Sequence, residues 1–301
     1  MISPIVIFSY NRPNHLSKLI DTIIKNKIDN KCKIYFFCDG PKNDLDRYKI
    51  QNIKEVLRKK KINFFHKTYR KKNIGLSKNI ISGINFVLKR HTSCIILEDD
   101  LVLNKNVINF MNMTLNKLKN NKTFGSVSAH SYLDRFKTKK KFDFYISKRH
   151  ASWCWGTWSR VWDNINWSDS YYANHFSNKK NIDKFSQGGN DLNLLLWGNY
   201  NKFIDSWAIR FNFFCANKNL KSFHPRFSMI RNDGRDSSGT HEKFRLKFKS
   251  NYNFNPKLGS LKKILIKTLM NNKIDSHIKN SHRRSIKLSI RYFLKTGKIL
   301  L

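Results

Sequence analysis

Short apolar runs alternate with helix-like patterns over the first 130 residues of the chain. The runs at residues 5–8, 34–38 and 94–97 are continuous and short, as in buried strands of parallel sheets. Between them, apolar residues recur every three or four positions, most clearly over residues 76–88, which predicts helices. We therefore expect an α/β fold with a doubly wound, mostly parallel, Rossmann-like sheet.

Polar residues follow three of the predicted strands. Asn11 and Arg12 follow the first strand, Asp39 follows the second, and an acidic triplet at residues 98–100 follows the run at 94–97. Ligands of open α/β sheets bind beyond the carboxyl ends of the strands. We therefore expect these polar residues to gather along one edge of the sheet, although they are distant in sequence.

The second half of the chain has weaker patterns. Residues 153–167 are rich in tryptophan and predict a mixture of helix and loop. Residues 190–197 and 203–214 predict two apolar helices. Residues 231–241 are polar and glycine-rich, which predicts a mobile loop.

Positive charge dominates the composition. The chain has 59 Lys and Arg residues against 20 Asp and Glu residues, a net charge of +39. Residues 241–301 contain 16 basic and 2 acidic residues, a net charge of +14, so we place a basic helical tail at residues 250–301 behind a domain at residues 1–249. Such charge attracts nucleic acid, anionic lipid headgroups and nucleotide phosphates, and it does not choose among them.

The sequence carries no signal for secretion, for a membrane-spanning helix or for a cysteine framework. The first 13 residues have no basic segment and no cleavage site, and no apolar run approaches the roughly 20 residues of a spanning helix. We therefore expect a cytoplasmic protein. The five cysteines form no Cys-x-x-Cys pair, which weighs against a zinc or disulfide framework, and we expect Cys38 and Cys94 to be buried free thiols.

The acidic triplet Glu98-Asp99-Asp100 is the sharpest chemical signal. Neighbouring carboxylates are costly to hold together unless a cation or a group of donors offsets their repulsion. Mg²⁺ or Mn²⁺ suits this position, because either ion binds one or two protein carboxylates together with substrate phosphates. The alternative is an acidic turn that caps the next helix.

Three further positions allow a functional or a purely structural interpretation. Asp39 either accepts hydrogen bonds from a nucleobase or ribose or belongs to an Asp-Gly-Pro turn, and Arg12 either contacts a nucleotide or lies in a turn. Asp191 opens an apolar helix, where it is either a favourable first-turn acid or a general base at the edge of a pocket. Asp183 and Asp205 are rival carboxylates for that role.

Aromatic residues and a glycine-rich loop suggest sugar and phosphate binding. Trp153, Trp155 and Trp158 surround Gly156, and their rings would stack on sugars or pack in the core. Residues 232–241 carry glycines, hydroxyls, a cation and an imidazole, which suits a lid over a diphosphate or an ordinary exposed loop.

These residues resemble a known family. Residues 4–13 look like the first strand of nucleotide-sugar glycosyltransferases with the GT-A fold, and residues 95–101 resemble the acidic metal motif of that fold. The Glu-Asp-Asp-Leu motif followed by residues 106–110 is similar to N-acetylglucosaminyltransferase I and its relatives. A Val-Ser-Ala strand at residues 127–129, the Gly156 segment and Asp191 follow in the family's order. The resemblance covers about residues 4–241.

The resemblance implies roles for individual residues. Asp100 would be the direct metal ligand, with Asp99 and His241 as further candidates. The nucleotide-binding residues implied are Asn11, Arg12, Asp39, Glu98 and Asp99, and the catalytic base implied is Asp191. We expect an acceptor pocket and lid that include Trp153, Trp155, Arg235, Ser238 and His241. Residues 1–130 would form the nucleotide-binding half and residues 131–249 the acceptor half.

The resemblance also implies a reaction. We expect an inverting transfer of a hexose or N-acetylhexosamine from a UDP-sugar to a glycan acceptor on a lipid carrier, as in bacterial surface polysaccharide synthesis. The cofactor would be Mn²⁺ or Mg²⁺. Two other classes stay open, a basic nucleic-acid-binding protein and a non-catalytic carbohydrate-binding scaffold. We expect no specific nucleic-acid partner, because the tail has aliphatic residues where a single-strand platform has aromatic ones.

The basic tail contains two stretches with helical spacing of apolar residues. One lies at residues 261–269, and the other contains Ile286, Ile290, Phe293 and Leu294 next to Lys and Arg residues. Such helices lie on anionic membranes, which would make the protein peripheral on the inner face of the membrane. The alternative is that both helices pack on the catalytic domain.

Overall fold

The computed structural model describes residues 2–28, 31–60, 62–133, 142–234, 272–282 and 284–299. The strands are β1 (Ile5–Ser9), β2 (Ile34–Cys38), β3 (His66–Tyr69), β4 (Ser93–Glu98), β5 (Leu101–Leu103), β6 (Phe124–Ser128), β7 (Phe144–Ser147), β8 (Trp155–Trp158), β9 (Lys221–Pro225) and β10 (Ile230–Asn232). The helices are α1 (Pro13–Lys25), α2 (Asp44–Lys59), α3 (Leu76–Leu88), α4 (Val107–Leu118), α5 (Ser159–Trp162), α6 (Ser170–Ala173), α7 (Lys179–Ser186), α8 (Leu192–Tyr200), α9 (Trp207–Asn217), α10 (Asn272–Ser281) and α11 (Ile286–Thr296).

Eight strands form one sheet in the order β3-β2-β1-β4-β8-β6-β9-β7. Strands β3, β2, β1 and β4 are parallel to one another, and β6 is parallel to β9. Strand β8 is antiparallel to both β4 and β6, and β7 is antiparallel to β9. The prediction of an α/β fold with a mostly parallel sheet is confirmed.

Continuous burial explains the central strands. Every residue of β1 and β2 is buried, as expected for strands covered by helices on a parallel sheet. Helix α1 buries one stripe, Leu16, Leu19, Ile20 and Ile23, and begins at Pro13, which is favoured in a first helical turn. The five cysteines, which include Cys38 and Cys94, are all buried free thiols.

The tryptophan-rich segment and the glycine-rich segment both contain strands that the sequence did not predict. Strand β8 lies between β4 and β6, so the expectation of helix and loop there was wrong for its four residues. Strand β10 pairs antiparallel with β5 in a second, two-stranded sheet. Arg231 and Asn232 therefore belong to a strand rather than to the expected loop, and residues 235–241 of that loop lie outside the described residues.

The tail helices pack on the rest of the chain. Ile274 and Ile278 of α10 lie in a buried cluster with Leu133 and Tyr145. Helix α11 forms another buried cluster, which contains Leu194, Trp197, Leu288 and Tyr292. The expected domain boundary at residues 249–250 and the apolar stretch at residues 261–269 lie outside the described residues. Within the described part of the chain, no helix is long and apolar enough to cross a membrane.

Candidate active site

The carboxyl ends of β1, β2 and β4 lie side by side. Phe8 pairs with Glu98 across β1 and β4, and Ser9 pairs with Cys38 across β1 and β2. The backbone N–H of Asp39 donates to the carbonyl of Ser9 at 3.0 Å. The polar segments that follow these three strands therefore meet at one edge of the sheet, as the sequence predicted.

Arg12 joins two members of the acidic triplet. Its guanidinium donates to Asp99 and, at 3.1 Å, to Oδ2 of Asp100. Asp99 also accepts a 2.7 Å hydrogen bond from the hydroxyl of Ser9, and it is almost fully buried. Although burial would lower the pKa of Arg12, the charges of Asp99 and Asp100 raise it. Arg12 is therefore a permanent cation at the end of β4.

One oxygen of Asp100 is left for a ligand. Its Oδ1 is buried and has no hydrogen-bond partner among the described residues. Burial and neighbouring carboxylates raise the pKa of Glu98 to about 8, and burial raises the pKa of Asp100 against the opposing charge of Arg12. The unpartnered oxygen of Asp100, together with the raised pKa values of Asp100 and Glu98, fits a divalent cation, which would favour the ionised carboxylates.

The protein alone does not complete a metal coordination shell. Among the residues that the structure describes, no group of three or more His, Cys, Asp or Glu side chains is arranged to hold an ion. Mg²⁺ and Mn²⁺ sites of phosphate-transferring enzymes commonly use one or two carboxylates, with substrate phosphates and water as the other ligands. Asp100 fits that pattern, with Asp99 held beside it by Arg12.

The end of β10 covers Asp100 closely. The backbone N–H of Asp233 donates to the carbonyl of Asp100 at 2.8 Å. A side-chain carbon at Gly234 would lie 2.4 Å from Oδ2 of Asp100 and 3.0 Å from a guanidinium nitrogen of Arg12, so a larger residue there would require the Asp100 carboxylate or the backbone of Gly234 to move. The segment that continues into the expected lid is thus attached to the acidic triplet.

Asn11 is held in a network with Asp46. The carboxylate of Asp46 accepts hydrogen bonds from the amide of Asn11 at 2.7 Å, from the Tyr10 hydroxyl and from the backbone of Lys42 at 3.1 Å. Burial would raise the pKa of Asp46, but these hydrogen bonds lower it. Asn11 therefore faces the start of α2 in this structure.

Asp39 connects β2 to the loop before α3. Its carboxylate accepts hydrogen bonds from the backbone N–H groups of Gly40, Ile74 and Gly75, at 2.8, 3.0 and 3.1 Å. The side chain is nearly fully buried. Asp39 thus fixes the loop that borders this end of the sheet.

Asp191 lies at the start of α8, as predicted, and is paired with Arg149. The guanidinium of Arg149 donates to both carboxylate oxygens, at 2.8 and 2.9 Å, and both side chains are largely buried. Burial would raise the pKa of Asp191, but the charge and hydrogen bonds of Arg149 lower it. Asp191 is therefore ionised at neutral pH.

The rival carboxylates have other surroundings. Asp205 accepts a 3.2 Å hydrogen bond from the backbone N–H of Ser77 at the start of α3. Asp183 is exposed on α7. Neither lies in a buried ion pair like that of Asp191.

Aromatic rings connect the Asp191 region to the end of β6. The guanidinium of Arg149 lies 5.7 Å from the ring centre of Tyr132, the ring of His130 is 4.9 Å from that of Tyr132, and Trp153 is 4.7 Å from His130. Trp153 is partly exposed. This row of rings offers the kind of surface on which sugars stack.

Trp155 lies in the core rather than on that surface. It is fully buried, its ring stacks on Trp207 at 4.8 Å, and it packs against Trp162 and Phe211. Of the two interpretations that the sequence allowed for Trp155, stacking on a sugar or packing in the core, the structure supports packing in the core. Arg235, Ser238 and His241 lie outside the described residues.

Sequence reasoning missed Arg149, Tyr132, His130 and Gly234. Arg149 is one of many basic residues and lies 42 positions from Asp191, so nothing in the sequence links the two. Gly234 belongs to the glycine-rich segment in the sequence, and its closeness to Asp100 follows from the pairing of β10 with β5, which the sequence did not predict.

Comparisons with known proteins give only weak similarities. No protein-family model and no curated protein matches the sequence. Solved structures that resemble it include the mannosyltransferase PcManGT from Pyrobaculum calidifontis in complex with GDP-Man and Mn²⁺, at 13% identity and a TM-score of 0.31, over 45% of this chain and 37% of that one. TarS from S. aureus matches at 11% identity and a TM-score of 0.38, over 55% of this chain and 49% of that one.

A galactosyltransferase, LgtC, in complex with donor and acceptor sugar analogues, matches at 8% identity and a TM-score of 0.40, over 73% of this chain and 72% of that one. This chain spans less than half the length of the first two proteins.

Proposed function

We propose that this protein is a metal-dependent GT-A glycosyltransferase that uses a nucleotide-sugar donor, with a UDP-sugar as the first candidate. The observation that carries the proposal is the buried, unpartnered Oδ1 of Asp100 at the carboxyl edge of the parallel sheet. Arg12 lies beside it as a permanent cation. A carboxylate that can bind a cation, next to a guanidinium, suits a diphosphate group.

The residues around β1 and β2 would hold the nucleotide. Arg12 would contact phosphate oxygens, and the loop that Asp39 fixes would border the nucleobase and ribose. Asp100, with Asp99 beside it, would hold Mn²⁺ or Mg²⁺. When bound, the ion would supply charge stabilisation to the departing nucleoside diphosphate.

Asp191 would be the catalytic base of an inverting reaction. Its low pKa keeps it ionised, and each carboxylate oxygen that accepts from Arg149 retains a second lone pair for a proton. The acceptor hydroxyl would transfer its proton to Asp191 while its oxygen attacks the anomeric carbon opposite the leaving group. Arg149 would hold the carboxylate in one orientation, and Trp153 would border the acceptor.

The acceptor would be a growing glycan on a lipid carrier, as in bacterial surface polysaccharide synthesis. This part of the proposal rests on the family resemblance together with the basic helical tail. The transferred group would be a hexose or an N-acetylhexosamine, and the protein would work in the cytoplasm.

A donor screen tests the proposal. Purified protein is incubated with UDP-, GDP-, dTDP- and CMP-sugars, with and without Mn²⁺, and release of the nucleotide is measured. We expect Mn²⁺-dependent release from one donor class, lost in Asp100→Asn and kept in Asp44→Asn, whose carboxylate is fully exposed on α2. Full turnover in excess EDTA would overturn the metal-dependent mechanism.

A further inference from the structure

Helix α11 has one buried and one exposed apolar side. Leu288 and Tyr292 are buried against α8. The apolar residues on the other side are strongly exposed, with 78% for Ile286, 55% for Ile290, 53% for Phe293, 77% for Leu294 and 74% for Ile299 beyond the helix end. We call these five residues the α11 face. Since α11 is already anchored through Leu288 and Tyr292, packing within the described chain does not account for the α11 face.

The charged residues in the segment that carries the α11 face are all basic. Residues 284–299 contain no Asp or Glu, and the basic residues in this range are Arg284, Lys287, Arg291, Lys295 and Lys298. The guanidinium of Arg291 lies 4.6 Å from the ring centre of Phe203, which is itself 40% exposed. The exposed surface therefore combines aliphatic side chains with cations.

We propose that the α11 face lies in the headgroup region of an anionic lipid bilayer. Aliphatic side chains flanked by Lys and Arg residues are typical of helices that lie flat at such an interface, about 5–10 Å into the boundary between headgroups and acyl chains. Negative lipids complement the five cations, and the long Lys and Arg side chains can extend from the helix to the headgroups.

Charge argues against two other occupants. A second copy of this chain also carries a net charge of +39, so two α11 faces would repel each other. A nucleic acid would match the charge, but single-stranded nucleic acid is bound by aromatic stacking, and only one of the five residues of the α11 face is aromatic.

The tail helices are attached to the loop that carries Asp191. The backbone N–H of Asn190 donates to the carbonyl of Lys279 at 3.3 Å, and Arg284 donates to the carbonyl of Asn190 at 3.1 Å. A bilayer at the α11 face would therefore be linked to the candidate base through a single loop. The importance of this link for a lipid-linked acceptor rests on the proposed function. The membrane contact itself is tested by experiments that measure no enzymatic activity.

Site-specific fluorescence tests the membrane contact in the full chain. The five native cysteines are buried, so a cysteine introduced at Leu294 can be labelled selectively with a polarity-sensitive dye. The matched control is Tyr48→Cys, because Tyr48 is 66% exposed on α2. Vesicles of phosphatidylglycerol and phosphatidylcholine are compared with vesicles of phosphatidylcholine alone.

We expect a blue shift of the dye at position 294 with anionic vesicles and none at position 48. Sedimentation with the same vesicles should fall at least tenfold in Ile290→Ser/Leu294→Ser and stay unchanged in Leu45→Ser/Tyr48→Ser, which removes exposed apolar residues from α2. Equal blue shifts at positions 294 and 48 would mean that anionic vesicles bind the basic protein surface through charge alone, with no preference for the α11 face. A shift that needs no vesicles and grows with protein concentration would mean self-association, and no shift at all would mean that lipid does not contact α11. Each of these three outcomes overturns the proposal.

Discussion

Arg149 donates to both carboxylate oxygens of Asp191, at 2.8 and 2.9 Å, although 42 positions separate the two residues in the sequence. The pair connects the segment after β7 to the start of α8. Asp191 is the catalytic base of the proposed mechanism. We therefore expect the geometry of this pair to affect both the stability of the fold and the rate of transfer.

Removal of the Arg149 guanidinium should destabilise the fold. Arg149→Met leaves Asp191 as a buried charge without its partner, and such changes typically cost about 3–5 kcal/mol of unfolding free energy. Urea unfolding at pH 7 measures the loss. The double variant Arg149→Met/Asp191→Asn, which removes both charges, should be more stable than Arg149→Met alone. If the two variants unfold at the same urea concentration, the pair carries little energy.

Asp191→Asn should remove most transfer and leave nucleotide binding intact. A positioned base typically contributes about 10²–10⁴-fold to the rate. The matched control is Asp183→Asn on the exposed side of α7, which should turn over normally. A product whose anomeric configuration is retained, determined by NMR, would contradict the base role altogether.

Gly234→Ala should impair ligand binding beside Asp100. The added methyl group would lie 2.4 Å from Oδ2 of Asp100, so either the carboxylate or the end of β10 must move. We expect loss of metal-dependent nucleotide binding in thermal-shift experiments, with a far-UV circular dichroism spectrum like that of the unmodified protein. Unchanged binding would mean that β10 moves away from Asp100 at little cost.

Stability should fall between pH 7 and pH 5 because of His150. Burial lowers the pKa of His150 to about 3, whereas an unfolded histidine titrates near 6.5. Between these values the unfolded chain binds a proton that the folded protein does not, so stability rises with pH. The contribution is about 2 kcal/mol between pH 5 and pH 7. Urea unfolding of His150→Gln should show a weaker pH dependence over this range, and an equal dependence would contradict this assignment.

The sequence predicted the parallel half of the sheet because its strands are buried along their whole length. Continuous apolar runs at β1, β2 and β4 mark such strands, and the rule for strand ends then brought Arg12 and the acidic triplet together. Strand β8 was not predicted, because the sequence Trp-Gly-Thr-Trp has no alternation of apolar and polar residues that would distinguish a strand from a loop. Strands β5 and β10 have three residues each, too few for any pattern.

The second half of the candidate site depended on contacts that sequence spacing does not encode. Asp191 was found through its helix-start position, but its partner Arg149 was hidden among 59 basic residues. The sequence predicted one apolar stripe on α11, made of Ile286, Ile290, Phe293 and Leu294. In the structure these residues are exposed, and the buried contact is formed by Leu288 and Tyr292, which the stripe did not include.

Calorimetric titration of UDP tests the central claim, that Asp100 holds a divalent cation which binds a nucleoside diphosphate at the sheet edge. The titration is run with and without Mn²⁺ on the unmodified protein, Asp100→Asn and Asp44→Asn. We expect Mn²⁺ to strengthen UDP binding at least tenfold in the unmodified protein and in Asp44→Asn, and to have no effect in Asp100→Asn. UDP binding that is equally tight in all three proteins, with or without Mn²⁺, would contradict the account.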